Sequence, residues 1–232
     1  MYEKYIKRIL DFALSLVALC GLLPLMLILT VVGAIVMKGN PFFVQPRPGM
    51  IDKKTGKEKI FKLIKFRTMN NKKDKNGKLL PDKVRLNGYG RFLRSTSLDE
   101  LPELWNILLG NMAFVGPRPQ LVRDMVFMTP EQRRRHSVMP GLTGLAQING
   151  RNNISWERKF QFDLEYIDSG ITFAKDFKIV FQTVSKVFTR EDTVREGTVS
   201  DLDFGDYLLE KGEVTEQEYN ILQKEAKQLL EV

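Results

Sequence analysis

Residues 12–37 read FALSLVALCGLLPLMLILTVVGAIVM, a stretch of 26 residues with no charged side chain and with Pro24 near its middle. As an α-helix it would be roughly 39 Å long at 1.5 Å per residue, which exceeds the roughly 30 Å hydrocarbon core of a bilayer. It is longer than the apolar region of a cleaved signal peptide, about 7–15 residues, and no Ala-x-Ala site follows it. The sequence therefore predicts a membrane segment.

Pro24 leaves two arrangements open for this segment. A proline inside a helix removes a hydrogen bond and clashes with the preceding turn, at a cost of about 3 kcal/mol, and lipid offers the freed carbonyl no donor. The chain therefore either spans the bilayer with a kink or turns at Pro24 and leaves on the side it entered. Only the re-entrant path keeps both basic flanks on the cytosolic side, which they prefer. These flanks are Lys4, Lys7 and Arg8 before the segment, and Lys38, Arg47, Lys53, Lys54, Lys57 and Lys59 after it.

Charge is distributed unevenly along the chain. Residues 1–190 contain 32 basic and 16 acidic side chains, whereas residues 191–232 contain 4 basic and 12 acidic ones. A strongly basic body beside a membrane segment indicates anionic lipid headgroups, phosphate-bearing substrates or both. The acidic tail could bind the basic body, bind a partner or raise solubility, and its composition favours the last of these.

Several classes of site are excluded by composition. Cys20 is the only cysteine, so no disulfide can form within the chain, and with His136 as the only histidine no zinc site is available. The chain contains neither a GxSxG nucleophile motif nor a GxxxxGK[ST] P-loop.

The remaining chain predicts helices around a small amount of strand. Residues 38–49 are rich in Pro and Gly and predict a turn-rich exit from the membrane. Residues 60–69 predict a strand that carries Lys65 and Arg67 on one face. Residues 98–109, 155–167 and 172–188 predict helices, and Thr129, Pro130 and Gln132 form the signature of a capped helix start. Residues 140–150 are too rich in Gly to predict regular structure.

The helix predicted over residues 172–188 has aromatic and β-branched side chains on one face. That face either packs in the core, which the pattern alone favours, or lies in a membrane interface with lysines above it. Its residues are Phe173, Phe177, Val180, Phe181, Val184, Val187 and Phe188.

The sequence RSTSLDELPELWN, residues 94–106, contains the strongest candidates for chemistry. Ser97 and Glu100 fit a capping box, and Pro102 is tolerated only near a helix start, so Asp99 and Glu100 are expected in a first helical turn. The helix dipole favours ionised carboxylates there, which suits a nucleophile or metal ligand. Ordinary capping explains the same two acids.

Cations in separate parts of the chain strengthen the chemical interpretation. Lys65 and Arg67 share a strand face, Arg91 and Arg94 precede the acids, Arg118 lies between Pro117 and Pro119, and Arg151 follows a glycine. Arginine binds phosphate through two hydrogen bonds and lysine as a point charge. Each could be a solvated surface charge, but together with paired acids they predict a site for a phosphate-bearing substrate and a divalent cation.

The ordered motifs resemble those of the monotopic phosphoglycosyl transferases, small bacterial sugar transferases that start glycan assembly on polyprenol phosphate. The resemblance covers residues 1 to about 190. Its motifs are KRILD at residues 7–11, the apolar segment with Pro24, FVQPRPG at 43–49, KFRTM at 65–69, RSTSLDELP at 94–102, VGPRP at 115–119, PGLTG at 140–144 and NGR at 149–151.

The resemblance implies a fold and a membrane location. It implies an α/β, mostly α, protein with a re-entrant membrane helix over residues 1–38 broken at Pro24. A catalytic body with interfacial amphipathic helices and a small sheet would follow over residues 39–190, and an acidic extension over residues 191–232. The protein would be monotopic on the cytosolic face of the bacterial cytoplasmic membrane, against anionic lipid of the inner leaflet.

The resemblance also implies a reaction. Asp99 would attack the β-phosphate of a UDP-sugar, release UMP and form an aspartyl phosphosugar intermediate, from which polyprenyl phosphate such as undecaprenyl phosphate would accept the sugar phosphate. Asp99 and Glu100 would form the catalytic dyad and hold Mg²⁺, and Glu100 would assist either as a metal contact or in positioning the acceptor. Lys65, Arg67, Arg94, Pro117, Arg118, Pro119 and Arg151 would bind substrate.

Alternatives remain open at this stage. The minimal size is similar to that of enzymes that use N-acetylated deoxyaminosugars, and the same chemistry on a hexose donor such as UDP-glucose or UDP-galactose is the nearest alternative. A membrane-anchored basic binding module is the alternative from another class, although no nucleic-acid recognition motif is present. Self-association into a homo-oligomer is left open.

Overall fold

A long N-terminal helix leads into a body of short helices and two small sheets. The computed structural model describes residues 1–150, 154–189 and 202–231. Its helices are α1 (Lys7–Met37), α2 (Asp82–Arg85), α3 (Gly88–Ser95), α4 (Glu103–Leu108), α5 (Val122–Met125), α6 (Pro130–Arg133), α7 (Leu145–Ile148), α8 (Trp156–Asp168), α9 (Phe173–Thr189), α10 (Phe204–Lys211) and α11 (Glu216–Glu231). Its strands are β1 (Phe42–Ile51), β2 (Glu58–Phe66), β3 (Ala113–Val115) and β4 (Gly141–Thr143). The expected mostly helical α/β fold with a small sheet is confirmed.

Helix α1 is assigned without interruption from Lys7 to Met37, with Pro24 inside it. No non-helical segment separates the two halves, so the predicted break at Pro24 is not a break in secondary structure. With the turn of π-helix before it, this helix is the one in the described residues that is long and apolar enough to cross a membrane. Re-entry into one leaflet stays a prediction.

The body contacts α1 on both sides of Pro24. Before the proline, the Arg8 guanidinium donates hydrogen bonds to the carbonyls of Ile107 and Leu108, at 2.6 and 2.8 Å. After the proline, the Tyr89 hydroxyl donates to the Leu29 carbonyl at 2.8 Å. Because polar groups of the body reach α1 near both ends, the helix lies along the body over most of its length.

A buried carboxylate joins the start of the chain to two later helices. Asp176 of α9 accepts hydrogen bonds from the hydroxyls of Tyr2 and Tyr166, at 2.8 and 2.7 Å, and from Lys7 Nζ at 2.5 Å. Tyr166 belongs to α8. This cluster fixes where α1 lies relative to α8 and α9, and its side chains exclude water from the ion pair.

The two sheets correct two sequence predictions. β1 and β2 pair antiparallel from Phe42 opposite Phe66, so most of the segment predicted as a turn-rich exit is strand. Pro46 and Pro48 fit because both strands of a two-stranded sheet are edges, where proline is tolerated. β3 and β4 pair parallel, and β4 and α7 give regular structure to residues 140–150, where none was predicted.

Helix α9 exposes its aromatic face. Phe177 and Phe181 are 63 and 67% exposed, whereas Asp176 and Ile179 are 5 and 4% exposed. The prediction that the aromatic face packs in the core is therefore wrong for the described side chains. The buried stripe runs through Asp176 and Ile179 instead, and the exposed phenylalanines form an apolar surface beside α1.

The acidic C-terminal extension packs on the body. Phe204 of α10 lies against Trp156 and Phe160 at ring-centroid distances of 5.1 Å each, and its backbone N–H donates to Asp124 Oδ1 at 2.9 Å. Ala226 of α11 is buried against α5. For residues 202–231, the expectation that binding to the basic body is one role of the tail is therefore confirmed. The favoured expectation, that the tail only raises solubility, is wrong for these residues. The predicted boundary at residue 190 adjoins residues outside the described ranges.

The packing of the extension makes a quantitative prediction. Phe204→Ala should lower the free energy of unfolding by about 3–5 kcal/mol, because it removes a fully buried aromatic ring. Ile221→Ala, at a residue that is 56% exposed on α11, should change it by no more than about 0.5 kcal/mol. Urea titration of both variants in detergent measures the difference, and equal stabilities would contradict the docking of α10.

Candidate active site

The two candidate acids lie in a turn between two helices. Residues Leu98–Glu100 form a single 3₁₀ turn after Ser97, which has a left-handed backbone with φ of 55°, and α4 begins only at Glu103. The continuous helix predicted from residue 98 is therefore wrong, and Ser97 makes no side-chain cap to the turn. The turn directs both carboxylates into the body, where cations from three other segments meet them.

Glu100 lies between two of the predicted cations. Its Oε1 is 3.0 Å from Lys65 Nζ, and it also pairs with the guanidinium of Arg118. Lys65 lies at the same time 2.9 Å from Oε1 of Glu103, a carboxylate that is 1% exposed. Burial raises the pKa of Glu103, and the ammonium of Lys65 opposes that shift. Lys65 is thus shared between two acids.

Asp99 lies beside Glu100 and faces Arg94. Burial, together with the charge of Glu100, raises the pKa of Asp99 to about 6, while Lys65, Arg94 and Arg118 partly offset the shift. Arg94 is itself partly buried and donates from Nε to Thr68 Oγ1 at 3.1 Å. Burial lowers the pKa of Arg94 and Asp99 opposes this, so each group favours the charged form of the other.

A side-chain amide sets the distance between Lys65 and the acids. Asn106 of α4 is buried, and its Oδ1 accepts from the backbone N–H of Ile64 at 3.1 Å while its Nδ2 donates to the carbonyl of Lys62 at 2.8 Å. These two bonds attach α4 to the edge of β2 that does not pair with β1. The Asn106 amide pairs with backbone groups there as a neighbouring strand would. Lys65 follows Ile64 directly, so its position relative to Glu103 is fixed by this contact.

The loop that carries Arg118 is held by its backbone. Gly116 donates from its N–H to the Thr143 carbonyl at 2.9 Å, and a Cβ there would lie 2.4 Å from the Met139 carbonyl, so only glycine fits. The carbonyl of Arg118 accepts from Arg135, which is buried in a two-bond pair with Asp163 at 2.6 and 2.9 Å. The backbone of Arg118 is therefore held by other residues, and its side chain is not needed to position the loop.

The flanking prolines and the remaining candidates take different places. Pro117 and Pro119 are buried, and their carbonyls accept from the Gly141 N–H and from Arg47 at 3.0 and 3.2 Å, which helps to fix the loop. Their contact with substrate stays a prediction. Arg67 lies past the end of β2 and, within the described ranges, pairs with neither acid. Arg151 lies outside the described residues.

Two residues of the site were missed from the sequence. Glu103 was missed although its spacing, three residues after Glu100, brings it to the same side of the α4 start. Gln147 was missed because it lies in the segment from which no regular structure was expected. The signal for both would have been a polar side chain within an otherwise apolar run.

An apolar cavity opens beside Glu100 and Arg118. It has a volume of ≈ 400 Å³ and separates α1 from α9, with the acid-bearing turn at one side. Most of its wall is hydrocarbon. The lining includes Ala18 and Leu22 of α1, Leu101, Phe114, Gln147 of α7 and Val180 of α9. The cavity therefore extends from the charged cluster to α1 and α9, the two helices that also expose apolar side chains on the surface.

Comparison with known proteins identifies the class. The family model for bacterial sugar transferases matches residues 2–190, and the chain belongs to that family. It is 46% identical over 188 residues to an uncharacterized sugar transferase EpsL of Bacillus subtilis, covering 80% of this chain and 89% of that protein. The resemblance to bacterial sugar transferases stated from the motifs is thereby confirmed.

Longer relatives carry more specific names. The chain is 38% identical over 195 residues to a UDP-glucose:undecaprenyl-phosphate glucose-1-phosphate transferase of Klebsiella pneumoniae, covering 78% of this chain and 40% of that protein. It is 34% identical over 209 residues to a UDP-galactose-lipid carrier transferase of Erwinia amylovora, covering 82% of this chain and 42% of that protein. The chain thus spans less than half the length of these two relatives.

The raised pKa of Asp99 predicts a gain in stability when its charge is removed. A carboxyl whose pKa is higher in the folded protein destabilises the fold when ionised, so Asp99→Asn should be stabilising at pH 7.5. A gain of about 1 kcal/mol would raise Tm by about 2–4 °C in a chain of this size. The gain should shrink between pH 6 and pH 4 as wild-type Asp99 becomes protonated.

Thermal unfolding without divalent cation or substrate measures this effect. Asp168→Asn serves as the control, because that carboxylate lies on the surface and is half-exposed, and it should move Tm by little. A Tm for Asp99→Asn that is equal to or below that of the wild type at pH 7.5 would contradict the assigned environment of Asp99.

Proposed function

We propose that this chain transfers a sugar 1-phosphate from a UDP-sugar to polyprenyl phosphate, with release of UMP. The observation that carries the proposal is the turn holding Asp99 and Glu100, surrounded by Lys65, Arg94 and Arg118 and open to an apolar cavity. Cations for two phosphate-bearing substrates, a carboxylate for covalent chemistry and walls for a hydrocarbon chain are the parts that this reaction needs.

Asp99 is the proposed nucleophile. Its Oδ attacks the β-phosphorus of the UDP-sugar, a new P–O bond forms, and the bond from that phosphorus to the bridging oxygen breaks as UMP leaves. An oxygen of the polyprenyl phosphate then attacks the same phosphorus, and the Asp99 carboxylate is released. The product is polyprenyl diphosphosugar. The support is that Asp99 has no ion pair as close as those of Glu100 within the described residues, which keeps an oxygen available.

Glu100 and the cations have complementary roles in this proposal. Lys65 and Arg118 balance the charge of Glu100 in the free protein, and incoming phosphates would compete with that carboxylate for them. Glu100 raises the pKa of Arg118, so this guanidinium stays charged throughout. Glu103 keeps Lys65 at the site while Lys65 shifts towards substrate.

Mg²⁺ is proposed as the cofactor. No group of three or more acidic, His or Cys side chains in the described part of the chain could hold a metal by itself. Mg²⁺ commonly binds through one or two carboxylates together with substrate phosphates, and Asp99 and Glu100 repel each other in its absence. These two acids would hold the ion, which when bound would neutralise charge on the diphosphate.

The membrane location is proposed to be monotopic, with the body on the cytosolic face. The support is that the body contacts α1 both before and after Pro24, whereas lipid would surround the middle of a true span. Leu27 and Ile35 of α1 and Phe173, Phe177 and Phe181 of α9 are exposed and would contact lipid. The basic body would lie against anionic headgroups of the inner leaflet.

The proposal also concerns which UDP-sugar is the donor. Two relatives are named as glucose and galactose transferases, which supports a hexose donor. The N-acetylated deoxyaminosugar implied by the motif resemblance is the alternative donor. A panel containing both kinds of UDP-sugar decides between them.

The first experiment measures UMP release from such a panel. Wild-type protein in detergent, with Mg²⁺ and undecaprenyl phosphate, should release UMP from at least one donor, and Asp99→Asn should lower the rate by at least about 10³-fold because the covalent step is lost. The Asp168→Asn protein should retain wild-type rates. Turnover by Asp99→Asn within tenfold of the wild type would exclude Asp99 as the nucleophile.

The topology makes a separate prediction. With Cys20 replaced by Ser, single cysteines at Glu3 and at Asn40, which lie on either side of α1 and are exposed, should both resist an impermeant maleimide in intact cells. Both should react after permeabilisation. Labelling of only one of them in intact cells would identify a membrane span and contradict the monotopic arrangement.

A further inference from the structure

One side chain in the cavity beside Glu100 has unpaired hydrogen-bonding groups. Gln147 places Nε2 and Oε1 out of contact with solvent, and neither atom has a partner within the described ranges. The hydroxyls of Thr143 and Thr183, which also line the cavity, differ because they lie 2.7 Å apart and pair with each other. A buried polar group without a partner costs about 1–3 kcal/mol, so a ligand that pairs with this amide binds more tightly.

The cavity walls restrict what that ligand can be. Hydrocarbon from α1, α4 and α9 forms most of the lining, including Leu22, Leu104 and Val184. A hydrocarbon chain fits those walls but has no hydrogen-bond donor or acceptor for the amide. A hexose would pair with the amide but would leave its other hydroxyls against apolar carbon, which is unfavourable. An amphiphile with one small polar head satisfies both the walls and the amide.

The position of Gln147 indicates where that head lies. A Cβ placed on Gly144 would be 2.9 Å from Gln147 Oε1 and 2.2 Å from the Gly116 carbonyl, so the amide is next to the loop that leads to Arg118. Arg118 and Glu100 line the same cavity. The amide is therefore at the charged end of an otherwise apolar space, where an anionic head would be.

We propose that Gln147 hydrogen-bonds the phosphate of the polyprenyl acceptor, with its Nε2 donating to a phosphate oxygen and the prenyl chain lying along the cavity. This inference rests on the proposed function. At neutral pH a phosphate monoester is partly monoanionic, and its P–OH can donate to Oε1, so both amide atoms gain partners. Gln147 is then a specificity-determining residue for the acceptor.

A neutral amide suits this place better than another cation. An empty cavity leaves the amide unpaired at modest cost, whereas a further lysine or arginine at this position would need its own counter-charge whenever the acceptor is absent. The amide also orients the attacking phosphate without neutralising the negative charge that makes it a nucleophile.

Binding of the acceptor is tested first, without turnover. Undecaprenyl phosphate should raise the Tm of the full chain in detergent more than undecaprenol does, because the phosphate adds the contact to Gln147. Gln147→Leu should lose most of that difference, and Gln147→Glu should lose all of it through like-charge repulsion. Gln161→Leu, at an exposed glutamine on α8, is the control and should keep the difference. An undiminished difference in Gln147→Leu overturns the proposal, since water alone would then occupy the amide.

Kinetics then separate the acceptor from the donor. Gln147→Leu should raise KM for undecaprenyl phosphate at least tenfold, while KM for the UDP-sugar and the acceptor-independent exchange of labelled UMP into UDP-sugar stay within twofold of the wild type. Preserved exchange also shows that the variant is folded. A defect in exchange and in KM for the donor, with KM for the acceptor unchanged, would make Gln147 a sugar contact and overturn the proposal. Absence of UMP release by the wild type with every donor would be a failure of the proposed function, and the Tm comparison would still decide on acceptor binding.

Discussion

The carboxylate of Asp176 is the constraint on which the arrangement of this molecule depends. It receives hydrogen bonds from Tyr2 and Lys7 at the start of the chain and from Tyr166 of α8, while it belongs to α9 itself. The start of the chain therefore meets α8 and α9 at one buried acid, across about 170 residues of sequence. The cavity between α1 and α9 exists because these two helices are joined here, and the acid-bearing turn adjoins that cavity. Breaking a buried, hydrogen-bonded ion pair costs about 3–5 kcal/mol, so α1 is a structural part of the body.

The charged cluster could be predicted from the sequence to a large extent, because it depends on residue types in ordered motifs. Lys65, Arg94 and Arg118 come from three segments and were all expected near Asp99 and Glu100, and the structure brings them there. The local shape of the turn was not predictable from capping signals, since Ser97 takes a left-handed backbone that a capping residue does not use. Glu103 and Asn106 act through contacts with Lys65 and Lys62 of β2, which are 38 and 44 residues away in sequence, and periodicity does not reveal such contacts.

Amphipathic patterns identified helices but not the environment of their faces. In α9 the aromatic face looked like a core face, yet the buried stripe contains Asp176 because a polar cluster lies there. In the C-terminal extension, net negative charge suggested a solubilising tail, yet Phe204 and Leu208 form a core with Trp156 and Phe160. Both differences have one cause. Charge and hydropathy of a segment describe its preference for water, and the partner that a face meets is set by the tertiary fold.

The two prolines of β1 oppose edge-to-edge association between copies of the chain at a membrane surface. A protein held at a bilayer is concentrated in two dimensions, and an unpaired strand edge is a template for the edge of a neighbouring copy. Pro46 and Pro48 are two residues apart, so their nitrogens face the same side, and the regular pairing with β2 from Phe42 to Pro48 puts that side away from β2. Pro48 is also fully buried, so the body covers this end of the edge. A second chain approaching this edge would find two consecutive donors missing from the ladder. The ribbon thus resists growth into an intermolecular sheet while it still holds Lys65 at the acids.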